Sequence, residues 1–193
     1  MPFAPPEPID AERVRVRLLA RSDLPALHEV NGDEAVTRLL PYATWTSPAD
    51  ADAWFERMAG IQATGLALQF VVADKASDRA IGTALLFRLE EGSARAELGY
   101  ALGRAHWGRG LMHEALGALL EHAFGAMALR RIEAEVDVRN AASVRVLRRL
   151  GFTREGLLRQ RWVSKGETKD AEIFGLLRDE WPAATTANPG RQG

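Results

Sequence analysis

A short segment with two glycines, Trp107-Gly108-Arg109-Gly110, joins two stretches of opposite periodicity, and this junction limits what the chain can fold into. Before it, Ala96-Glu97-Leu98-Gly99-Tyr100-Ala101-Leu102 alternates: Leu98, Tyr100 and Leu102 face one way, Glu97, Gly99 and Ala101 the other. After it, Leu111, Met112, Ala115, Leu116, Leu119, Leu120, Ala123, Phe124 and Met127 recur along one helical face. The first turn of a helix has N–H groups without intrahelical partners and the positive end of the dipole, which together suit a phosphate. A strand feeding such a turn therefore predicts a cradle for a phosphorylated ligand. An ordinary tight turn would use the same two glycines.

Two common phosphate loops are excluded. A Walker loop needs lysine and a hydroxyl residue after its last glycine, and Gly110 is followed by Leu111 and Met112. A dinucleotide fingerprint needs a third glycine, and His113 stands in its place.

At 193 residues, 47% hydrophobic and 26% charged, the chain reads as one globular domain with a full core. A net charge of −1 argues against binding nucleic acid by bulk charge. The lack of cysteine removes disulfides, thiolate nucleophiles and cysteine zinc sites. Neither a membrane span nor a signal peptide is visible, so a cytoplasmic location is expected.

The predicted organisation is a flexible tail over 1–10, a single domain over 11–181 and a second tail over 182–193. Strands are expected at 13–19, 68–73, 81–89, up to Leu102 and at 131–138, with short closing strands at 162–163 and 173–177. Helices are expected to open at Ser22-Asp23, at Ser47-Pro48, at Gly110 and over 141–150, the last closed by Gly151. This order describes a mixed α/β fold, antiparallel early, with a strand–helix–strand crossover late.

Leu98-Gly99-Tyr100, the run from Trp107 to Ala115, Asn140-Ala141-Ala142-Ser143 and Leu150-Gly151-Phe152 resemble, in order and spacing, the GCN5-related N-acetyltransferase (GNAT) family. The RimJ/RimL branch, which acetylates ribosomal-protein N-termini, is the nearest in pattern. The resemblance spans about Val14 to Trp181 and implies the GNAT fold, a mostly antiparallel mixed sheet flanked by helices, with acetyl-CoA as co-substrate and no metal. It implies that the backbone of Trp107, Gly108, Arg109, Gly110, Leu111 and Met112 holds the pyrophosphate. Trp107 and Met112 depart from the family's general pattern, although tryptophan there is typical of the RimJ/RimL branch. Arg109 can add a charge near the phosphates. The strand edge of Tyr100, Ala101 and Leu102 is implied to pair with the pantetheine arm as an added strand would. Asn140 is implied to hold that arm or a water beside it; as a helix N-cap it needs no ligand.

Acetyl transfer requires an amine to lose a proton and a thiolate to leave. Direct attack needs no covalent enzyme intermediate, in keeping with the missing cysteine. An N-terminal amine, with a reference pKa of about 8, needs a weaker base than a lysine amine near about 10.4. Glu97, on the face with Gly99 and Ala101, is the catalytic base expected from position and resemblance; a structural carboxylate is the alternative. The tyrosine that many relatives use as acid falls at Leu147, and neither Tyr42 nor Tyr100 occupies that position. Ser143 is the expected substitute, with helix-terminus hydrogen bonding as its other explanation. Arg145, Arg148 and Arg149 read as a solvated helix face. Trp45, Trp54 and Phe55 read as core or acceptor-groove wall, and Asp170 and Glu172 as alternative bases or solvated carboxylates.

Three functions follow as expectations. The first is an acetyl-CoA-dependent N-acetyltransferase of a protein N-terminal α-amine. The others are a small-molecule amine acetyltransferase, for an antibiotic or polyamine, and a non-catalytic acyl-CoA-binding module. The expected partner is an amine acceptor, a peptide N-terminus or a small molecule, with no direct nucleic-acid or membrane contact; a homodimer is left open. The acceptor groove is expected near residues 31–45 and 160–170.

Overall fold

The computed structural model describes residues 6–182. Eight strands form one sheet: β1 (Ile9–Asp10), β2 (Val14–Leu18), β3 (Ala67–Asp74), β4 (Ala80–Glu90), β5 (Arg95–Leu102), β6 (Arg131–Asp137), β7 (Thr153–Ser164) and β8 (Glu167–Leu177). Their order is β1-β2-β3-β4-β5-β6-β8-β7, and every pairing is antiparallel except β5 with β6. Five α-helices accompany them: α1 (Leu24–Asn31), α2 (Glu34–Thr37), α3 (Pro48–Ala63), α4 (Leu111–Phe124) and α5 (Ala141–Arg149).

Both faces of the sheet are covered. The apolar stripe of α4 packs with Leu147 of α5 against Val14, Val16, Phe70, Leu86, Leu98, Ile132 and Phe174, the principal core. Leu116, Leu119 and Leu120 are fully buried there, each contributing about 1.5–3 kcal/mol. On the opposite face Leu27 of α1, Trp54 of α3 and Trp45 from the connection ahead of α3 lie over Val71 and Ala80, with the two indoles 5.4 Å apart. Helix α3 starts where the sequence predicts: the Asp50 carboxylate accepts the Ser47 N–H at 2.9 Å and Pro48 opens the first turn. Arg17 on β2 grips the buried Asp23 ahead of α1 through two bonds of 2.9 and 2.8 Å.

Two expectations change. Ile9 and Asp10 are not tail: they pair with Val16 and Arg15, and Arg15 holds the Asp10 carboxylate at 2.6 Å. Of the expected tails, residues 1–5 and 183–193 lie outside the described residues. The closing strands run far beyond 162–163 and 173–177. β7 faces solvent almost throughout and carries two irregularities against β8, so it lacks the alternation that marks a half-buried strand.

Candidate active site

The site begins where the sheet forks. β5 and β6 pair only through Arg95↔Arg131, Ala96↔Ile132 and Glu97↔Glu133, after which β6 no longer follows. β5 continues to Leu102 held by β4 alone, from Leu86↔Leu98 to Gly82↔Leu102. From Leu98 onward one side of β5 is therefore an unpaired strand edge, able to accept an extended amide-bearing ligand. The Leu102 carbonyl is already engaged, accepting the Trp107 indole N–H at 2.7 Å. Trp107 thus braces the turn with its ring, half exposed, instead of joining the core.

The glycine turn takes the predicted form. Gly108 and Gly110 have φ of +73° and +76°, left-handed conformations that glycine adopts without a Cβ penalty. Gly110 is the N-cap of α4, so the N–H groups of Leu111 and Met112 in the first turn lack intrahelical acceptors. The Leu111 and Met112 side chains are buried in the core, leaving only their backbone to face a ligand. Arg109 is exposed. Arg13 was not foreseen in this region: its Nη1 donates to the Arg109 carbonyl at 3.1 Å, and its Nε and N–H donate to Glu114 at 2.8 and 2.5 Å. Burial disfavours the charged Glu114, but these bonds from Arg13 outweigh it and hold the carboxyl below its ordinary pKa.

A cavity of about 370 Å³ opens at the fork. Tyr100 and Ala101 of β5, Glu135 and Asp137 of β6, and Asn140 and Ser143 at the start of α5 line it. Leu39–Tyr42 and Trp54 form one wall and Trp162 of β7 another. Glu97, the last paired residue, also lines the cavity and is only 5% exposed. Its Oε1 accepts from Arg88 Nη1 at 2.6 Å. Glu135 accepts two bonds from Arg161 at 3.0 and 2.7 Å. Asp137 accepts the Arg139 backbone N–H, Nε and Nη2 at 2.9, 2.9 and 2.8 Å, and the Arg139 guanidinium, working against burial, holds its carboxyl below the usual range.

Asn140 caps α5, its Oδ1 accepting the Ser143 N–H at 3.0 Å. The Ser143 hydroxyl is thereby free of the helix end and lies 2.5 Å from the Tyr100 hydroxyl. Burial pushes the Tyr100 phenol up to about 12 although its bond to Ser143 pulls the other way, so it stays protonated near neutrality. This pairing was missed because Tyr100 and Ser143 lie 43 residues apart. A signal existed: Tyr100 shares the core-facing side of β5 with Leu98, where a phenol needs a polar partner. Leu147 is fully buried, so the position of the common family tyrosine is filled here by packing.

The other sequence candidates settle into supporting places. Asp170 accepts the Gln160 N–H at 2.7 Å and Glu172 accepts from Arg154 at 2.6 Å, both bracing the β7–β8 hairpin. Phe55 lies under the Arg21 guanidinium, 4.7 Å from its ring centre. Arg145, Arg148 and Arg149 are exposed. Among the described residues no helix is long and apolar enough to cross a membrane.

A mixed sheet that forks beside a left-handed glycine turn and a helix N-terminus defines an acyltransferase of the GNAT class. The chain belongs to that family: the acetyltransferase (GNAT) domain matches residues 13–153, and the protein is an N-acetyltransferase. The uncharacterized N-acetyltransferase p20 of Bacillus licheniformis is 33% identical over 175 residues, 91% of this chain and 98% of that protein. A GCN5-related N-acetyltransferase from Brucella melitensis superposes with a TM-score of 0.82 at 28% identity, covering 94% of this chain and 84% of that one. RimL, a ribosomal L7/L12 alpha-N-protein acetyltransferase solved in complex with coenzyme A, superposes with a TM-score of 0.79 at 25% identity, covering 89% and 98%.

Proposed function

We propose that this N-acetyltransferase transfers the acetyl group of acetyl-CoA directly to a protein N-terminal α-amine. The observation that carries the reading is Glu97: a buried carboxylate at the base of the fork, in one cavity with the open edge of β5 and the Ser143 hydroxyl. The residues fit the co-substrate. An unpaired strand edge suits the amides of pantetheine, and the αL turn of Gly108 and Gly110 leaves backbone donors for the pyrophosphate. When bound, acetyl-CoA supplies the thioester.

Glu97 takes a proton from the acceptor's ammonium. The freed nitrogen bonds to the acetyl carbon as the carbon–sulfur bond breaks. Ser143, positioned by Tyr100 and by the Asn140 cap, donates a hydrogen bond to the departing sulfur, which leaves as the thiolate and takes up the second proton, shed by the nitrogen as the amide forms. RimL, named for a protein α-amine, supports the acceptor class.

Thiol release from acetyl-CoA tests the reading with three acceptors: a tetrapeptide with a free N-terminal alanine, the same peptide N-blocked but carrying a lysine, and spermidine. Release with the free N-terminus above the other two is expected. Preference for spermidine would make the protein a small-amine acetyltransferase. Tight coenzyme A binding with no release for any of the three would make it a binding module.

A further inference from the structure

We propose that Arg88 is a built-in stand-in for the acceptor's ammonium, seated on Glu97 until a cationic acceptor displaces it. The inference rests on Glu97 being the base. Glu97 is buried, and a buried carboxylate needs a cation or several donors. Among the described residues its ion pair is with Arg88, 2.6 Å away. The neighbouring acids have other principal partners, Glu135 being held by Arg161 at 2.7 Å with Arg88 at a longer 4.0 Å, and Asp137 by Arg139.

The two halves of the pair differ in mobility. Glu97 is fixed in paired strand on both sides, to Phe87 and Glu133. Arg88 sits in β4 at a register shift between Phe87 and Glu90, where it has no register partner across on β5, with φ of +49° and a side chain 54% exposed. Its guanidinium can swing into water and keep its charge hydrated. An ammonium entering the cavity has no such option: it needs the Glu97 carboxylate, and two cations beside one buried carboxylate repel each other. An acceptor without positive charge has nothing with which to replace Arg88. The pair therefore selects for amines before any chemistry occurs, and Arg88 acts as a specificity-determining residue.

Arg88→Gly tests this and also relieves the left-handed backbone. With the free-alanine tetrapeptide, the variant should show a peptide KM lowered about fivefold, the scale of a partly exposed ion pair, with the acetyl-CoA KM unmoved. Methylguanidinium should inhibit Arg88→Gly competitively against the peptide and leave the wild type unaffected, and Arg88→Lys should keep the wild-type KM. A lower kcat with an unmoved peptide KM would overturn the proposal, because Arg88 would then only hold Glu97 in place. If the wild type acetylates no amine, the functional reading fails separately. The subsite is then read by cavity tryptophan fluorescence, Trp54 and Trp162, titrated with methylguanidinium. Saturation in Arg88→Gly alone supports it, and no saturation overturns it. Should Arg88→Gly not fold, Arg88→Asn, which also tolerates left-handed φ, takes its place.

Discussion

Removing the Tyr100 hydroxyl isolates the contribution of the hydroxyl pair. In Tyr100→Phe the ring still packs beside Leu98, but the Ser143 Oγ loses a partner 2.5 Å away. A neutral hydrogen bond is worth about 1 kcal/mol net, so stability should fall by about that amount. If Tyr100 acts by aiming Ser143, the chemical step should slow by about five- to tenfold, whereas Ser143→Ala should slow it by about 10- to 100-fold. The double variant is decisive. A residue working through another adds nothing once that other is gone, so Tyr100→Phe/Ser143→Ala should match Ser143→Ala within about twofold. The phenol sits near 12, above any working pH, so Tyr100→Phe should leave the shape of the rate profile between pH 6 and 9 unchanged. Its raised pKa acts on stability instead: the unfolded chain releases that proton near pH 10 and the folded one only near 12. The Tyr100 contribution to stability should therefore be constant below pH 9 and be lost as pH rises past 10, so that the alkaline fall is less steep in Tyr100→Phe. Rapid-quench single turnovers with acetyl-CoA and the alanine peptide measure the rates. An unchanged rate in Ser143→Ala would mean that water serves the sulfur, and losses that multiply in the double variant would mean that Tyr100 acts on its own.

Gly110→Asp should abolish coenzyme A binding by putting a side chain and a like charge at the turn while the fold persists; unchanged affinity by calorimetry in a folded variant would remove the turn from the site. Glu97→Gln should lower turnover by about 10²-fold or more with coenzyme A affinity unchanged. Full thiol release across pH 6 to 9 in that variant would leave Glu97 a structural carboxylate. Asp23→Ala should destabilise by about 2 kcal/mol, because it removes the buried partner of Arg17, leaving the guanidinium the more exposed Asp78 at 3.3 Å, and leaves the Ala20 N–H without its acceptor. A loss below about 1 kcal/mol in urea unfolding would class the pair with surface ion pairs.

Much of the fold was legible because the core elements alternate cleanly. α4 announces itself by an eight-residue apolar stripe, β5 by strict alternation, and Ser47-Pro48 and Gly151 by cap chemistry. β7 was not legible beyond Trp162-Val163. Its side chains face water, and its register breaks between Leu158 and Trp162, where Gln160 takes φ of +53°, so no period survives. In the site, backbone-borne features such as the glycine turn follow from local sequence. The pairings Arg88–Glu97 and Tyr100–Ser143 do not, because each depends on which strand turns beside which. Arg88 is reached only across a bulge that its sequence, an apolar strand ending in charges, does not signal.

Glu114 stitches together residues that are far apart in the chain. From the first turn of α4 it accepts the Arg13 N–H across a sequence separation of 101, while Arg13 reaches on to the Arg109 carbonyl. The shape of the glycine turn is thus partly dictated by the start of β2. The turn is a tertiary feature as well as a local one, braced from a segment that lies 96 residues earlier than Arg109 in the chain. A cut or fusion that disturbs residues 9–14 should loosen coenzyme A without touching any residue that contacts it.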